Sequence, residues 1–429
     1  MRLSEILAGQ IASDTGLWRD FNDICDCGGR LAGTESEKKA FALLRERVKA
    51  ASPANAGRSI PVPYNGWSAK SAGLVLPDGK SVAAHPLVRT IATPREGLTA
   101  EVVDLGRGTP EEFTAHAADI EGRIVLVRHE LMFAAGTIHR RRKYDMARAA
   151  GAVGFLIGGP LAGHVVAGSS GRNSGEGIPA LGIAPETAVR LARTADGWPV
   201  VTMKIETAEG PAETETLVYD YPGQTDEWVV LSAHVDGHDL AESAMDNGSG
   251  LASVLAVARA LSPEVSKFRR GLRVMFFSVE EWALTGSAQY VQALSEAQRA
   301  KIALNVNLDS VAGSPNLAAL TSGYAGIEPF LLKVAEANGQ SLRTVRPLMT
   351  NSDHANFAAG GIPAIRLVAG FDDPQAHLRV VLTPADTRDK VAQSELRQAT
   401  LLTAALVAAA CNADPVEAAN WRYGTARII

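Results

Sequence analysis

The chain has 429 residues, of which 46% are hydrophobic and 21% charged, and it carries a net charge of −5. That length exceeds one ordinary core and predicts two or three domains, while the composition excludes a disordered chain. The mild acidity gives no global pull toward nucleic acid or an anionic membrane.

The N-terminal stretch MRLSEILAGQIASDTG lacks an uninterrupted apolar run, so no secretory signal is expected. Cys25 and Cys27 flank a single aspartate and Cys411 stands alone, which is neither a disulfide framework nor zinc-knuckle spacing. Free thiols and a reducing, cytoplasmic compartment follow. In AGTESEKKAFALLRERVKA, Thr34 with Glu37 three places later predicts a capped helix start, and Phe41, Leu44 and Val48 form one apolar face. The segment ASPANAGRSIPVPYNG, rich in Pro, Gly and Ala, reads as a crossing point between domains. From Trp67 to Glu206 short apolar runs such as EVVDLG, RIVLVRH and VGFLIGG alternate with turn residues, predicting a strand-rich unit with a helix near Lys143–Ala150. The basic run HRRRK, His139 to Lys143, is read as the solvated face of that helix, and His116, His129, His139 and His164 as structural or surface residues.

After Thr214 strand and helix alternate: EWVVLSA, then NGSGLASVLAVARALS; LRVMFFS, then GSAQYVQALS; then the strands IALNVNLD and PAIRLV. This rhythm predicts an α/β fold with a mostly parallel sheet sandwiched by helices, and ligands outside the carboxyl ends of its strands. The apolar stretch Ala399 to Cys411 is too short to span a bilayer and reads as a buried helix.

The polar chemistry gathers at those carboxyl ends. The first strand runs into His234 and Asp236, with Asp246 and Asn247 opening the next helix; the second runs into Glu280 and Glu281; the third into Asn307 and Asp309; Asp353 and His354 precede the last. Like charges crowded in one crevice repel unless a cation holds them, and one imidazole with several carboxylates suits zinc, manganese or cobalt. Two adjacent glutamates divide the labour, one binding metal and its neighbour taking a proton from water.

The motifs AHVDGH, AMDNGSG, FFSVEEWALTGS, LNVNLDSVAG, SDHANFAAGGIPAI and TPADTRDKV resemble, in order and spacing, the di-zinc exopeptidases that include bacterial leucyl aminopeptidases and glutamate carboxypeptidase. GGRLAGTESEKKA resembles the opening segment of that family, and the region of RIVLVRH and KYDMARAAGAVGFLIGG resembles the protease-associated domain that many members carry inserted. The resemblance implies a catalytic metallohydrolase domain at 1–64 and 209–429 and a strand-rich insertion at 65–208. It implies His234, Asp246, Glu281 and Asp309 as metal ligands, Asp236 as the group orienting His234, and Glu280 as general base. The implied substrate is a small molecule or short peptide. The inserted domain is a source of contacts to a second copy of the chain, and no nucleic acid or membrane partner is expected.

One position departs from the pattern. The family's last ligand is a histidine just before a segment like TPADT, and here that residue is Leu382, which cannot bind a cation. The expected site holds one divalent transition metal, zinc or manganese, or two with the second weak. His377 is a substitute ligand if its loop folds back, and His354 and His238 are read as contacts of substrate or of a carboxylate. The missing histidine turns the main functional expectation toward a one-metal hydrolase of a small amine or amide, as in the family's 5-nitroanthranilate aminohydrolase offshoot. A peptide-cleaving aminopeptidase is the alternative, and a non-catalytic binding module the third reading.

Overall fold

The computed structural model describes residues 9–131, 133–172, 175–192 and 197–424, so the first half of the N-terminal stretch considered for a signal lies outside the described residues. The first group of strands is β1 (Arg58–Val75), β2 (Ser81–Val82), β3 (Ala84–Pro86), β4 (Leu98–Asp104), β5 (Ile124–Arg128), β6 (Gly154–Gly158), β7 (Ala180–Ile183) and β8 (Val200–Tyr221). The second is β9 (Trp228–His234), β10 (Gly271–Phe277), β11 (Ile302–Leu308), β12 (Leu317–Leu320), β13 (Arg343–Val345) and β14 (Ala364–Ala369).

The order β13-β12-β14-β11-β9-β10-β8 continues through β8 into β4-β5-β6-β7-β3. β8 is the hinge of this arrangement. Its last residues pair antiparallel with β10, its first with β4, and β1 accompanies it from Arg58↔Val218 to Val75↔Thr202. The segment expected to be a crossing point between domains is partly strand: Pro61 and Pro63 sit in β1, which is paired along β8, and an edge strand tolerates residues without an N–H.

β9, β10, β11 and β14 are parallel, and antiparallel pairs appear only at the flanks, with β12 on β14 and β8 on β10. β14 is buried along its whole length and β9 at every residue after Trp228, so both faces of the sheet are covered. The helix Gly250–Leu261 packs on β9 and on the helix Gln393–Asn412, whose apolar stretch is buried as its composition predicts. The inserted strands keep a core of their own, built from Leu74, Val102, Leu126, Leu156, Leu181 and Met203.

Candidate metal centre

His234 is the last residue of β9 and is fully buried. Its Nδ1 donates to the Asp236 carbonyl at 2.8 Å, which fixes the ring and presents Nε2 to the crevice. Nε2 lies 3.2 Å from Asp246 Oδ1 and 3.8 Å from Asp309 Oδ1, yet makes no hydrogen bond. One atom each from His234, Asp246 and Asp309 lie within 4.8 Å of one another. An orphaned imidazole nitrogen facing two buried carboxylates is a donor set that fits a divalent transition metal.

The charges are not balanced by the chain alone. Burial pushes the Asp246 carboxyl above the usual range, and Glu281 and Asp309 add to the push. For Asp309 burial acts the same way, but Arg366, 3.1 Å from Oδ1, and His234 outweigh it and hold the group low. Burial works against a charge on His234 too, and Glu280 with the three aspartates overcomes it.

Each loop is tied down by groups beside the crevice. Asp236 accepts the backbone N–H of Glu280 on Oδ1 and of Glu281 on Oδ2, both at 3.1 Å, so one carboxylate aims both glutamates. Arg30, fully buried, donates to the carbonyls of Val235, Gly28, Glu242 and Ser243 at 2.7–2.9 Å and closes the loop after β9. Asp386 accepts from the amides of Met245 at 2.8 Å and Asp246 at 3.3 Å; burial raises its pKa to about 7. Ser243, Val279, Ser310 and Leu382 all have φ between 47 and 66°, so a left-handed non-glycine residue lies in each of the loops after β9, β10 and β11 and in the loop of Leu382. Such strain concentrates at functional sites. Of the groups that support the site, Arg30, Asp386 and Arg366 escaped the sequence reading. The signal for Arg366 was present, since an arginine inside the apolar strand Ala364–Ala369 has to find a carboxylate.

Glu281 is not within the three-residue cluster, although it lines the same cleft: its Oε1 is 2.8 Å from His238 Nε2. His354 is buried with neither ring nitrogen bonded, and burial beside Arg366 lowers its pKa to about 3. His377 is exposed in the short helix His377–Val380, where Nδ1 donates to the Lys390 carbonyl at 2.7 Å, so its loop does not bring it to the carboxylates. Leu382 is buried and lines the cleft.

The basic run departs from its expectation. Arg140 and Lys143 are buried rather than solvated, and Arg140, Arg141 and His139 line the same cleft, ≈ 500 Å³ with its open mouth included, as Asp246, Glu280, Glu281 and Asp309. A second chamber of ≈ 1580 Å³, including its open mouth, adjoins the first and shares His139, Arg141, Leu284 and Asn351 with it. The inserted domain thus roofs the crevice. Its Phe133 lies 4.7 Å beneath the Arg366 guanidinium, and its Ala167 amide donates to the Leu382 carbonyl at 2.7 Å.

Residues 216–407 match the model of peptidase family M28, and residues 85–191 match the PA domain. Aminopeptidase YwaD of Bacillus subtilis is 26% identical, over 88% of this chain and 81% of its own. Two solved structures share the fold over most of their length. A peptidase M28 precursor from Shewanella amazonensis superposes with a TM-score of 0.78 at 22% identity, covering 96% of each chain. A zinc aminopeptidase from Bacillus subtilis does so at 0.71 and 24%, covering 91% of this chain and 93% of that one.

Proposed function

Since the chain belongs to peptidase family M28 and carries a PA domain inserted into its catalytic domain, we propose that this metal-dependent hydrolase is an aminopeptidase acting on short peptides. The observation that carries the reading is the donor set of His234, Asp246 and Asp309 beside Glu280 in one cleft. The aminopeptidase named among its relatives favours a peptide over the aromatic amine that Leu382 suggests.

The bound ion would be held by His234, Asp246 and Asp309, and it supplies the positive charge that polarises the scissile carbonyl and acidifies water. Glu280 is the proton carrier. Burial first, then Glu281, Asp309 and Asp353, push its pKa well above the carboxylate range, with His234 opposing. A carboxylate so placed, its charged form favoured once a cation is bound beside it, would take a proton from the attacking water and return it to the leaving amine. Asp236 keeps it in position through the Glu280 amide.

One tightly held ion is the proposed count. Two features support this count: Leu382 stands where the family resemblance expects a histidine for the second metal, and Glu281 is engaged by His238 at 2.8 Å. Zinc is the proposed identity, the metal named for the Bacillus subtilis aminopeptidase that shares this fold, with manganese the second candidate. The unpaired thiols of Cys25, Cys27 and Cys411 support a reducing, cytoplasmic setting. No helix among the described residues is long and apolar enough to cross a membrane.

Leu382 supports one other reading, the one-metal removal of an aromatic amine. A panel separates the two: zinc- or manganese-loaded protein against aminoacyl-p-nitroanilides and against 5-nitroanthranilate. Release of nitroaniline supports the peptidase, and ammonia from the ring alone rejects it. Glu280→Gln should lower turnover by about a thousandfold or more while the metal content is unchanged.

A further inference from the structure

Acid and base face each other across the domain boundary in this cleft. Asp246, Glu280 and Glu281 project from the strand ends, and Arg140 and Arg141 open the helix Arg140–Ala149 of the inserted domain. Both guanidiniums are held in place. Arg140 Nε donates to the Ser169 carbonyl at 2.7 Å and its Nη1 lies 3.4 Å from His129 Nε2; Arg141 Nη2 donates to the Thr350 carbonyl at 2.8 Å. Gly168 makes room for the first, because a Cβ there would stand 2.2 Å from Arg140 Cζ. Ser169 belongs to the loop that the Leu382 carbonyl pins through Ala167. Leu382, the residue expected from the resemblance to stand in place of a metal-binding histidine, therefore also docks the support of an arginine.

Arg141 forms no ion pair among the described residues, and it lines both the cleft and the outer chamber. The first turn of its helix contains no acidic residue, so the positive end of the helix adds to the same field. Planar guanidiniums grip carboxylates through paired, charge-assisted hydrogen bonds.

We propose that Arg140 and Arg141 form a subsite for a carboxylate of the substrate, so that the enzyme prefers zwitterionic short peptides, with the amine on the acidic floor and the carboxylate under the inserted domain. This rests on the peptidase reading above. A carboxylate so close to the reacting bond comes either from the C-terminus of a very short peptide or from an acidic side chain next to the cleaved bond.

The test measures binding without turnover, by calorimetry on the zinc-loaded Glu280→Gln protein. Leucyl-alanine is compared with its C-terminal amide, and the amide of leucyl-aspartate with that of leucyl-asparagine. In at least one pair the carboxylate form should bind about 30-fold tighter, the strength of a good charge-assisted pair. A response in the first pair assigns the C-terminus and in the second the side chain. Adding Arg141→Gln should shrink the preference to about threefold or less. Gly168→Ala, which displaces Arg140 from a different position, should act in the same direction, with zinc content and melting temperature reporting that each variant is folded. Equal affinity within both pairs, or an equal loss for charged and amidated forms on Arg141→Gln, overturns the subsite and leaves the peptidase standing. Failure of the zinc-loaded protein to bind any of the four overturns the peptidase reading and the subsite with it.

Discussion

At position 382 a buried leucine holds a left-handed backbone, with φ of 66°, in a cleft lined also by two aspartates and two glutamates. Its side chain offers no ligand, and its carbonyl serves the inserted domain. Leu382→His should raise the zinc content from one toward two equivalents per chain by mass spectrometry, and an unchanged single equivalent would reject the assignment of this residue to the second position. A different residue governs acid stability. His129 is half-buried with Arg140 Nη1 3.4 Å from its Nε2, and burial of the ring, with the charges of Arg140 and Lys143, lowers its pKa to about 3. The unfolded chain, with an ordinary histidine, takes up this proton first. The stability tied to the neutral ring is therefore complete above about pH 6.5 and is lost as pH falls from there toward 3, at about 1.4 kcal/mol per pH unit. In thermal melts His129→Phe should show a shallower loss of stability between pH 6.5 and 5 than the parent protein.

At the scale of elements, the strands deliver residues and buried charges aim them. The loop after β9 would carry Asp236 and His238 without fixed geometry were its carbonyls not gathered by Arg30. Replacing this guanidinium with an apolar side chain leaves four carbonyl acceptors without their donor. Arg30→Met should cost about 3 kcal/mol in denaturant unfolding and should lower zinc affinity as well. Loss of stability with full zinc affinity would mean that the loop holds its shape without Arg30. The strand-to-helix rhythm after Thr214 was legible because parallel strands covered on both faces read as continuous apolar runs, and EWVVLSA, LRVMFFS and IALNVNLD each became a strand. The helix Glu35–Ala51 starts at Thr34 as its capping pattern predicts, although Glu37 reaches past Thr34 to the Gly33 amide at 2.7 Å. The basic run was not legible. A helical period places Arg140 and Lys143 on one face but does not say what covers it, and here the cover comes from residues 128–130, the loop at Ser169 and the catalytic cleft.

For the molecule as a whole, the two long strands β1 and β8 run as one ribbon from the catalytic sheet into the insertion, so floor and roof of the cleft share a continuous backbone ladder. The acidic floor stores repulsion that a cation relieves, and binding to the folded state alone adds stability in proportion to the logarithm of ligand excess. Zinc at 100 times its dissociation constant should contribute about 2.7 kcal/mol. A chelator should therefore lower the melting temperature by a few degrees, with recovery on adding zinc back; no change would indicate that the carboxylates are satisfied by the chain alone. The sequence by itself determined the layered fold, the order of the strand ends and the set of acids and imidazole that gather there, because burial periodicity and motif spacing are properties of the chain read locally. The expected contact of His238 with a carboxylate is present, and only the tertiary structure decided that the carboxylate is Glu281, that His377 stays outside, and that Arg140 and Arg141 turn inward. Those contacts join loops far apart in the chain, and the charge each group faces exists only once the inserted domain has closed over the sheet.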